Sequence, residues 1–316
     1  MNHYYRRKKH SKRKLYCSFE QKVRSKKFYE LISNSDPMSL ARLKSLSCEH
    51  AGDFLSVGST GSSSTKFTSL EFSISCCFRL GIQLPIISKN MRCICAKAPL
   101  VGSLGQHLHS CPIGGERLEK HNAIVKEFCA LSVCAGVGVR DKFLNALTLS
   151  DSQKRPDIKF IGPKFNKFNN SARDVLGDVN ITHPCNASLI GECARKALAA
   201  AKKGAANKNS KYVELCQKSG FDFVPLIFES FGAIHQDAFE IIIQLASRHS
   251  ALSSIPKSVC IQYWFSRFSV SLQVNNARMF ISKVNRINSR NLMCYASINP
   301  GFLCSSNMMS NERRGD

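Results

Sequence analysis

Three apolar-rich runs decide the fold: Arg155-Pro156-Asp157-Ile158-Lys159-Phe160-Ile161, Asp174-Val175-Leu176-Gly177-Asp178-Val179-Asn180-Ile181-Thr182 and Phe221-Asp222-Phe223-Val224-Pro225-Leu226-Ile227-Phe228. Each has the length and residue content of a strand. Gly162-Pro163 ends the first, and a polar excursion over Lys164–Arg173 leads to the second. Side chains alternate along a strand. Asp157 and Lys159 therefore share a face opposite Ile158 and Phe160, and Asp178 and Asn180 share one opposite Val179 and Ile181. Antiparallel pairing of the two runs puts both acids on one side of a sheet. The third run follows a long helical segment, so it is expected to pair in parallel through a right-handed crossover. The fold class predicted is α/β, a mixed sheet between helices.

The crossover runs from Leu189 to Lys218. Ala194–Lys203 has high helix propensity, Gly204 and Asn207 are expected to break it, and a second helix carries Lys208, Lys211, Tyr212 and Leu215 to a stop at Gly220. Lys208 and Lys211, three apart, share a face of that helix. Upstream, Val137-Gly138-Val139-Arg140 reads as a strand and Glu116–Cys134 as a helix with Ile124, Phe128 and Leu131 on its apolar face. In that helix Glu116 and Lys120 are expected as an outward i,i+4 pair, and His121 reads by periodicity as a surface or half-buried histidine. Gly136 is the expected stop. Pro37–Leu46 and Phe67–Leu80 read as helices, the latter buried through Leu70, Phe72, Ile74, Cys77, Phe78 and Leu80 and ended by Gly81. Gly58–Ser64 between them reads as a flexible loop. Gln236–Ile287 is helical, with Ile261, Trp264, Phe268 and Leu272 on one face and Arg267 and Gln273 off it. Trp264, the single tryptophan, reads as a core anchor.

The chain has 316 residues, 45 Lys+Arg against 22 Asp+Glu, and a formal charge of +23. Such an excess repels itself in the free protein and points to a polyanionic partner, nucleic acid above all. Residues 1–37 hold dense basic clusters, among them Arg6-Arg7-Lys8-Lys9 and Lys12-Arg13-Lys14. They read as a disordered arm that neutralises phosphates or directs nuclear import, with a solvated tail as the plainer alternative. A nuclear location, otherwise a cytoplasmic one, is expected. Residues 288–316, polar and rich in Met, Asn and Ser, read as disordered. The first twenty residues are basic rather than apolar, and no run approaches the roughly 18 apolar residues of a membrane span. The 15 cysteines, in a reducing compartment, are to be read as metal ligands where clustered and as small core residues elsewhere, as at Cys76, Cys77, Cys129 and Cys216.

One cluster stands out. Cys93-Ile94-Cys95 is followed by His107 and Cys111, with the turn formers Gly102 and Gly105 between the pairs. Two sulfurs on one turn and a His/Cys pair on another can close a tetrahedron around Zn²⁺. His109 is an alternative ligand, although a single residue separates it from Cys111. Four protein ligands leave no open position, so the zinc is expected to be structural.

Asp157 and Asp178 suggest different chemistry. Phosphodiester hydrolysis needs an activated water and neutralisation of developing charge. Mg²⁺ (or Mn²⁺) is a hard cation held by one or two carboxylates and water. The two acids, with a carbonyl of the strand carrying Asp178, can supply such a site, and Lys211 or Lys208 from the next helix can steady the nucleophile or the phosphate. Each acid taken singly also fits a plainer role, Asp157 capping a turn after Pro156 and Asp178 solvated.

In combination and order these motifs resemble the C-terminal restriction-like endonuclease region, with its CCHC zinc knuckle, of non-LTR retrotransposon reverse transcriptase proteins. Cys93, Cys95, His107 and Cys111 look like the knuckle, Lys120-His121-Asn122 like the basic-His-Asn motif, and Arg155-Pro156-Asp157 and Asp178-Val179 like the two acidic signatures. Lys208 with Lys211-Tyr212 looks like the Lys-x-x-Lys-Tyr helix, Phe223-Val224-Pro225-Leu226 and Glu229-Ser230-Phe231-Gly232 like the last core strand and its turn, and Trp264–Ala277 like the closing helix. The resemblance covers roughly residues 40–285. It implies a PD-(D/E)xK core, Asp157 and Asp178 as metal ligands, Lys211 or Lys208 as catalytic lysine, and His121 near the site. It also implies nicking of target DNA to prime reverse transcription, with element RNA as a second partner. A reverse transcriptase domain would act in cis, as in relatives, or in trans. Gln106 stands where the family often has a second histidine, the gap between the acids is longer than usual, and Asn180 takes a position where many such nucleases have lysine. No catalytic Asp-Asp strand pair of a polymerase is visible upstream. The organisation expected is a basic arm (1–37), a helical lead-in (38–90), a zinc knuckle (91–115), a nuclease core (116–235), C-terminal helices (236–290) and a tail (291–316). The alternatives are a decayed copy that only binds nucleic acid and a basic zinc-binding scaffold.

Overall fold

The computed structural model describes residues 26–57 except 28, 66–141 and 155–298. The Gly58–Ser64 loop, most of the basic arm and the tail beyond 298 lie outside the described residues. The three runs quoted above are strands of one four-stranded sheet: β1 (Gly138–Asp141), β2 (Ile158–Ile161), β3 (Val175–Thr182) and β4 (Asp222–Glu229), in that spatial order. β1–β2 and β2–β3 are antiparallel and β3–β4 is parallel, with Asp178 opposite Pro225. Proline cannot donate to a ladder. Pro225 is accommodated because β4 is the edge strand of this order.

Helices α1 (Pro37–Leu46), α2 (Ser69–Leu80), α3 (Gln106–Ser110) and α4 (Glu116–Cys134) precede the sheet. α5 (Ile190–Arg195) and α6 (Ala199–Lys218) fill the crossover, and α7 (Gln236–Ser253) and α8 (Lys257–Ile298) follow β4. The fold is therefore mixed α/β. One sheet face, bearing Ile158, Phe160, Val179, Val224, Leu226 and Phe228, packs on Ile124 and Phe128 of α4, Ile241 and Leu245 of α7, and Trp264 and Phe268 of α8. The other face packs on α6: Leu176 and Phe223 meet Tyr212 and Cys216, and Ile227 meets Ala201 and Ala205. Asp178 belongs to this second face.

α8 joins two cores. Its first half lies on the sheet, while Ala277, Phe280 and Val284 pack with Phe78 of α2, with Leu108 of α3 and with Cys93 and Cys111. α2 begins with a capping box, Thr68 accepting from the Glu71 N–H and Glu71 from the Thr68 N–H, and ends at Gly81 in the left-handed region. Only part of its apolar sequence faces inward: Ile74 and Phe78 are buried, while Leu70, Phe72 and Leu80 are exposed.

Three further expectations are corrected. Glu116 and Lys120 are buried rather than outward, because α8 covers them: Arg286 pairs with Glu116 at 2.6 Å, and Lys120 Nζ donates to Asn276 Oδ1 at 3.1 Å. The crossover breaks at Lys196–Leu198, where Leu198 takes φ 62°, and α6 then runs unbroken through Gly204 and Asn207. Gly204 serves close packing: a Cβ there would lie 3.1 Å from Thr182 Cγ2 and 3.2 Å from Ile227 Cγ2. Finally, α8 continues through residues 288–298, where the sequence reading expects no element. No helix among the described residues is long and apolar enough to cross a membrane.

Candidate active site and zinc cluster

Asp157 lies just ahead of β2, its N–H donating to the Gly177 carbonyl at 2.9 Å. Arg155, two residues before it, is tied to α6 because its carbonyl accepts from the Tyr212 hydroxyl at 3.3 Å. Asp157 Oδ2 accepts the Val179 N–H at 2.7 Å and sits 2.9 Å from His121 Nε2. Among the described residues Oδ1 has no hydrogen-bond partner. The alternative turn-capping role of Asp157 is thus replaced by a bond to the neighbouring strand, which pins the carboxylate beside Asp178.

Asp178 is 3% exposed, so its expected solvated alternative does not hold. Lys208 Nζ donates to both of its oxygens, at 2.9 and 2.7 Å. Burial raises the Asp178 carboxyl first, the Asp157 charge adds to this, and Lys208 and Lys211 oppose it. At His121 burial works against the imidazolium, but the hydrogen bond and charge of Asp157, helped by Asn122 and Asp178, outweigh it and raise the pKa. His121 Nδ1 lies 3.2 Å from Asn122 Oδ1. Tyr212 packs beneath on Leu176 and Phe223; burial first, then the charges of Asp178 and Asp157, raise its phenol.

Asp157, Asp178, Lys208 and His121 are brought together from the residue before β2, from β3, from α6 and from α4. Lys211 is not on the acids: it is exposed, with Nζ 4.6 Å above the Tyr212 ring. The sequence reading favoured Lys211 through the Lys-Tyr motif. The signal for Lys208 was its i,i+4 spacing from Tyr212, which stacks the two on the helix face that meets the sheet. The arrangement offers a hard cation one free carboxylate oxygen on Asp157 and a buried carboxylate on Asp178 that it would share with, or take from, Lys208. An oxygen donor set of this kind fits Mg²⁺ or Mn²⁺.

The ligand atoms of Cys93, Cys95, His107 and Cys111 all lie within 4.8 Å of one another. Cys93 Sγ is 3.5 Å from Cys111 Sγ, and Cys95 Sγ is 3.4 Å from His107 Nε2. A tetrahedral zinc with Zn–S about 2.3 Å and Zn–N about 2.0 Å separates its ligands by about 3.5–3.8 Å. The cluster can hold a zinc ion. The backbone prepares it: the Cys93 N–H bonds the Pro99 carbonyl, and one turn of α3 sets His107 and Cys111 on one side. His109 is excluded as a ligand because its ring is buried between Phe78 and His183, stacked on the latter at 4.1 Å. Sequence reasoning missed Lys283, which reaches from α8 to the Leu108 and Cys111 carbonyls at 2.7 and 2.9 Å and fixes the cluster to the core. Nothing near Lys283 in sequence signals this, since its partners lie about 170 residues away.

Comparison with protein-family models, curated proteins and solved structures gives no match for this chain.

Proposed function

We propose that this chain is a divalent-metal-dependent DNA endonuclease of the restriction-like type found in non-LTR retrotransposon proteins, with a PD-(D/E)xK-type core, and that it nicks target DNA to prime reverse transcription. The observation that carries this reading is the convergence of Asp157, Asp178 and Lys208 between β3 and α6, with Lys208 within 2.9 Å of both Asp178 oxygens. Burial first, and the neighbouring Asp157 charge second, raise the Asp178 carboxyl against the pull of Lys208 and Lys211, so a further cation beside the pair is favoured.

Asp157, through Oδ1, and Asp178, through its buried carboxylate, would be the residues that hold the divalent cation. Bound there, Mg²⁺ or Mn²⁺ supplies Lewis acidity at the phosphate and makes a water a stronger nucleophile. Lys208, released from Asp178, carries its ammonium to the scissile phosphate and neutralises charge as the bond breaks. Lys211, exposed one turn further on, contacts the DNA backbone. The +23 formal charge suits a polyanion. Zinc in the Cys93–Cys111 cluster is structural, and the polymerase acts in cis or in trans. Element RNA, a nuclear location and phosphate contacts by the basic arm belong to the same proposal.

The test is incubation of supercoiled plasmid with the full chain and Mg²⁺ or Mn²⁺. Open circles with 3′-hydroxyl and 5′-phosphate ends, abolished by chelator, are expected. DNA retained in a gel but left uncut with both cations contradicts the enzyme and leaves a nucleic-acid-binding protein.

A further inference from the structure

We propose that His121 is a positioning residue of this acid site: it locks Asp157 through Oδ2, so that Oδ1 alone is presented to the divalent cation. The inference rests on the endonuclease reading above. A carboxylate oxygen offers about two acceptor directions. On Asp157 Oδ2 both are taken, by the Val179 N–H at 2.7 Å and by His121 Nε2 at 2.9 Å. The carboxylate plane is thereby fixed from two independent elements, β3 and α4.

His121 is itself a rigid post. Its other nitrogen faces Asn122 Oδ1 at 3.2 Å. The helix that carries it is anchored by Ile124 and Phe128, both 0% exposed, and by Lys120, whose amine bonds Asn276 of α8 at 3.1 Å. α4 is also capped at its start by Gly115, four residues after the zinc ligand Cys111. A histidine so held cannot follow a swinging aspartate; it stops the swing. In this arrangement Nε2 stays on the carboxylate and does not enter the cation's own ligand set. Partners that orient ligating groups this way are worth about 10–100-fold in metal affinity.

The experiment is Mn²⁺ binding to the full, zinc-loaded chain, followed by electron paramagnetic resonance. His121→Ala is expected to weaken Mn²⁺ binding by about 10–100-fold. His121→Gln, whose amide N–H reaches about as far as Nε2, is expected to recover to within about threefold of the wild type, while His121→Asn, one methylene shorter, behaves like alanine. Pulsed spectra of the wild type are expected to show no nitrogen coupling of a directly bound imidazole. Far-UV circular dichroism and zinc content check the fold of each variant; if His121→Ala fails them, the Gln/Asn contrast carries the test. Equal Mn²⁺ affinity in the wild type, His121→Ala and His121→Asn overturns the proposal, as does an imidazole nitrogen bound to Mn²⁺. A wild-type chain that binds no Mn²⁺ and leaves plasmid intact fails at the endonuclease reading itself. One that binds and cuts while His121→Ala matches it in both fails only here.

Discussion

Lys120 and His121 are neighbours in the chain with opposite duties. His121 turns to the acids, while Lys120 turns inward to a buried polar cluster with Asn276, His183 and His109. Burial, aided by neighbouring cations, lowers the Lys120 amine to about 7. At His183, whose Nδ1 lies 2.6 Å from Ser230 Oγ, burial and the Lys120 charge lower the imidazole to about 3. The folded state therefore binds fewer protons here than the unfolded chain, in which histidine titrates near 6.5. The stability this imidazole brings is complete above about pH 6.5 and is lost as pH falls toward 3. We expect unfolding free energy to drop by about 2 kcal/mol between pH 7 and pH 4.5 on account of His183. The check is urea unfolding at each pH, in which His183→Phe flattens the profile; an unchanged slope in the variant contradicts the assignment. None of this cluster was legible from spacing. Glu116 and Lys120 follow the rule for a surface pair, and only the cover from α8, more than 150 residues later, makes each an interior group. Cys93, Cys95, His107 and Cys111 were legible because ligand chemistry and short-range turns are local. Asp157 and Asp178 were legible because strand alternation is local too.

At the scale of elements, α6 decides whether the site exists. It approaches the sheet closely enough for Lys208 to reach Asp178 because small residues, Ala201, Gly204 and Ala205, face Ile227 and Thr182. Its N-terminus is held by Glu229 at the end of β4, which accepts the Ala201 N–H at 3.0 Å. Sequence reading took Gly204 for a helix breaker, a fair inference from propensity. Tertiary contact overrides it, since a glycine in a helix also allows backbone to approach a sheet. Gly204→Leu should therefore overpack this contact, destabilising the chain by about 1–3 kcal/mol. Because Lys208 lies one turn beyond, the same variant should lose nicking while keeping its zinc. Thermal unfolding and cleavage assayed together check this; full activity with unchanged stability would refute the packing account. The strands were read well because β3 and β4 are buried on both faces, and continuous apolar runs of this length have few other homes. The break at Lys196–Leu198 was not read. Leu198 adopts a left-handed φ of 62°, which no residue type there announces.

Over the whole molecule, α8 binds the Cys93–Cys111 cluster to the sheet. Its first half packs on β-sheet residues and its second on the cysteine cluster, and Lys283 and Arg286 reach across to Cys111 and Glu116. The cluster is thus part of the core rather than a bead on a tether, and α4 carries its position forward to His121. Zinc removal should propagate accordingly. We expect metal analysis to give one zinc per chain, and Cys111→Ser to lose it together with several kcal/mol of stability. Retained stability without zinc, in a variant shown to be metal-free, would contradict the role given to the cluster. Cleavage chemistry is tested most sharply at Asp178. Plasmid nicking with Mg²⁺ is compared between the wild type and Asp178→Ala at matched zinc content and matched DNA binding. Open circles are expected from the wild type and a loss of at least about 10²-fold in rate from the variant; equal nicking by the two proteins would rule out Asp178 as a catalytic acid.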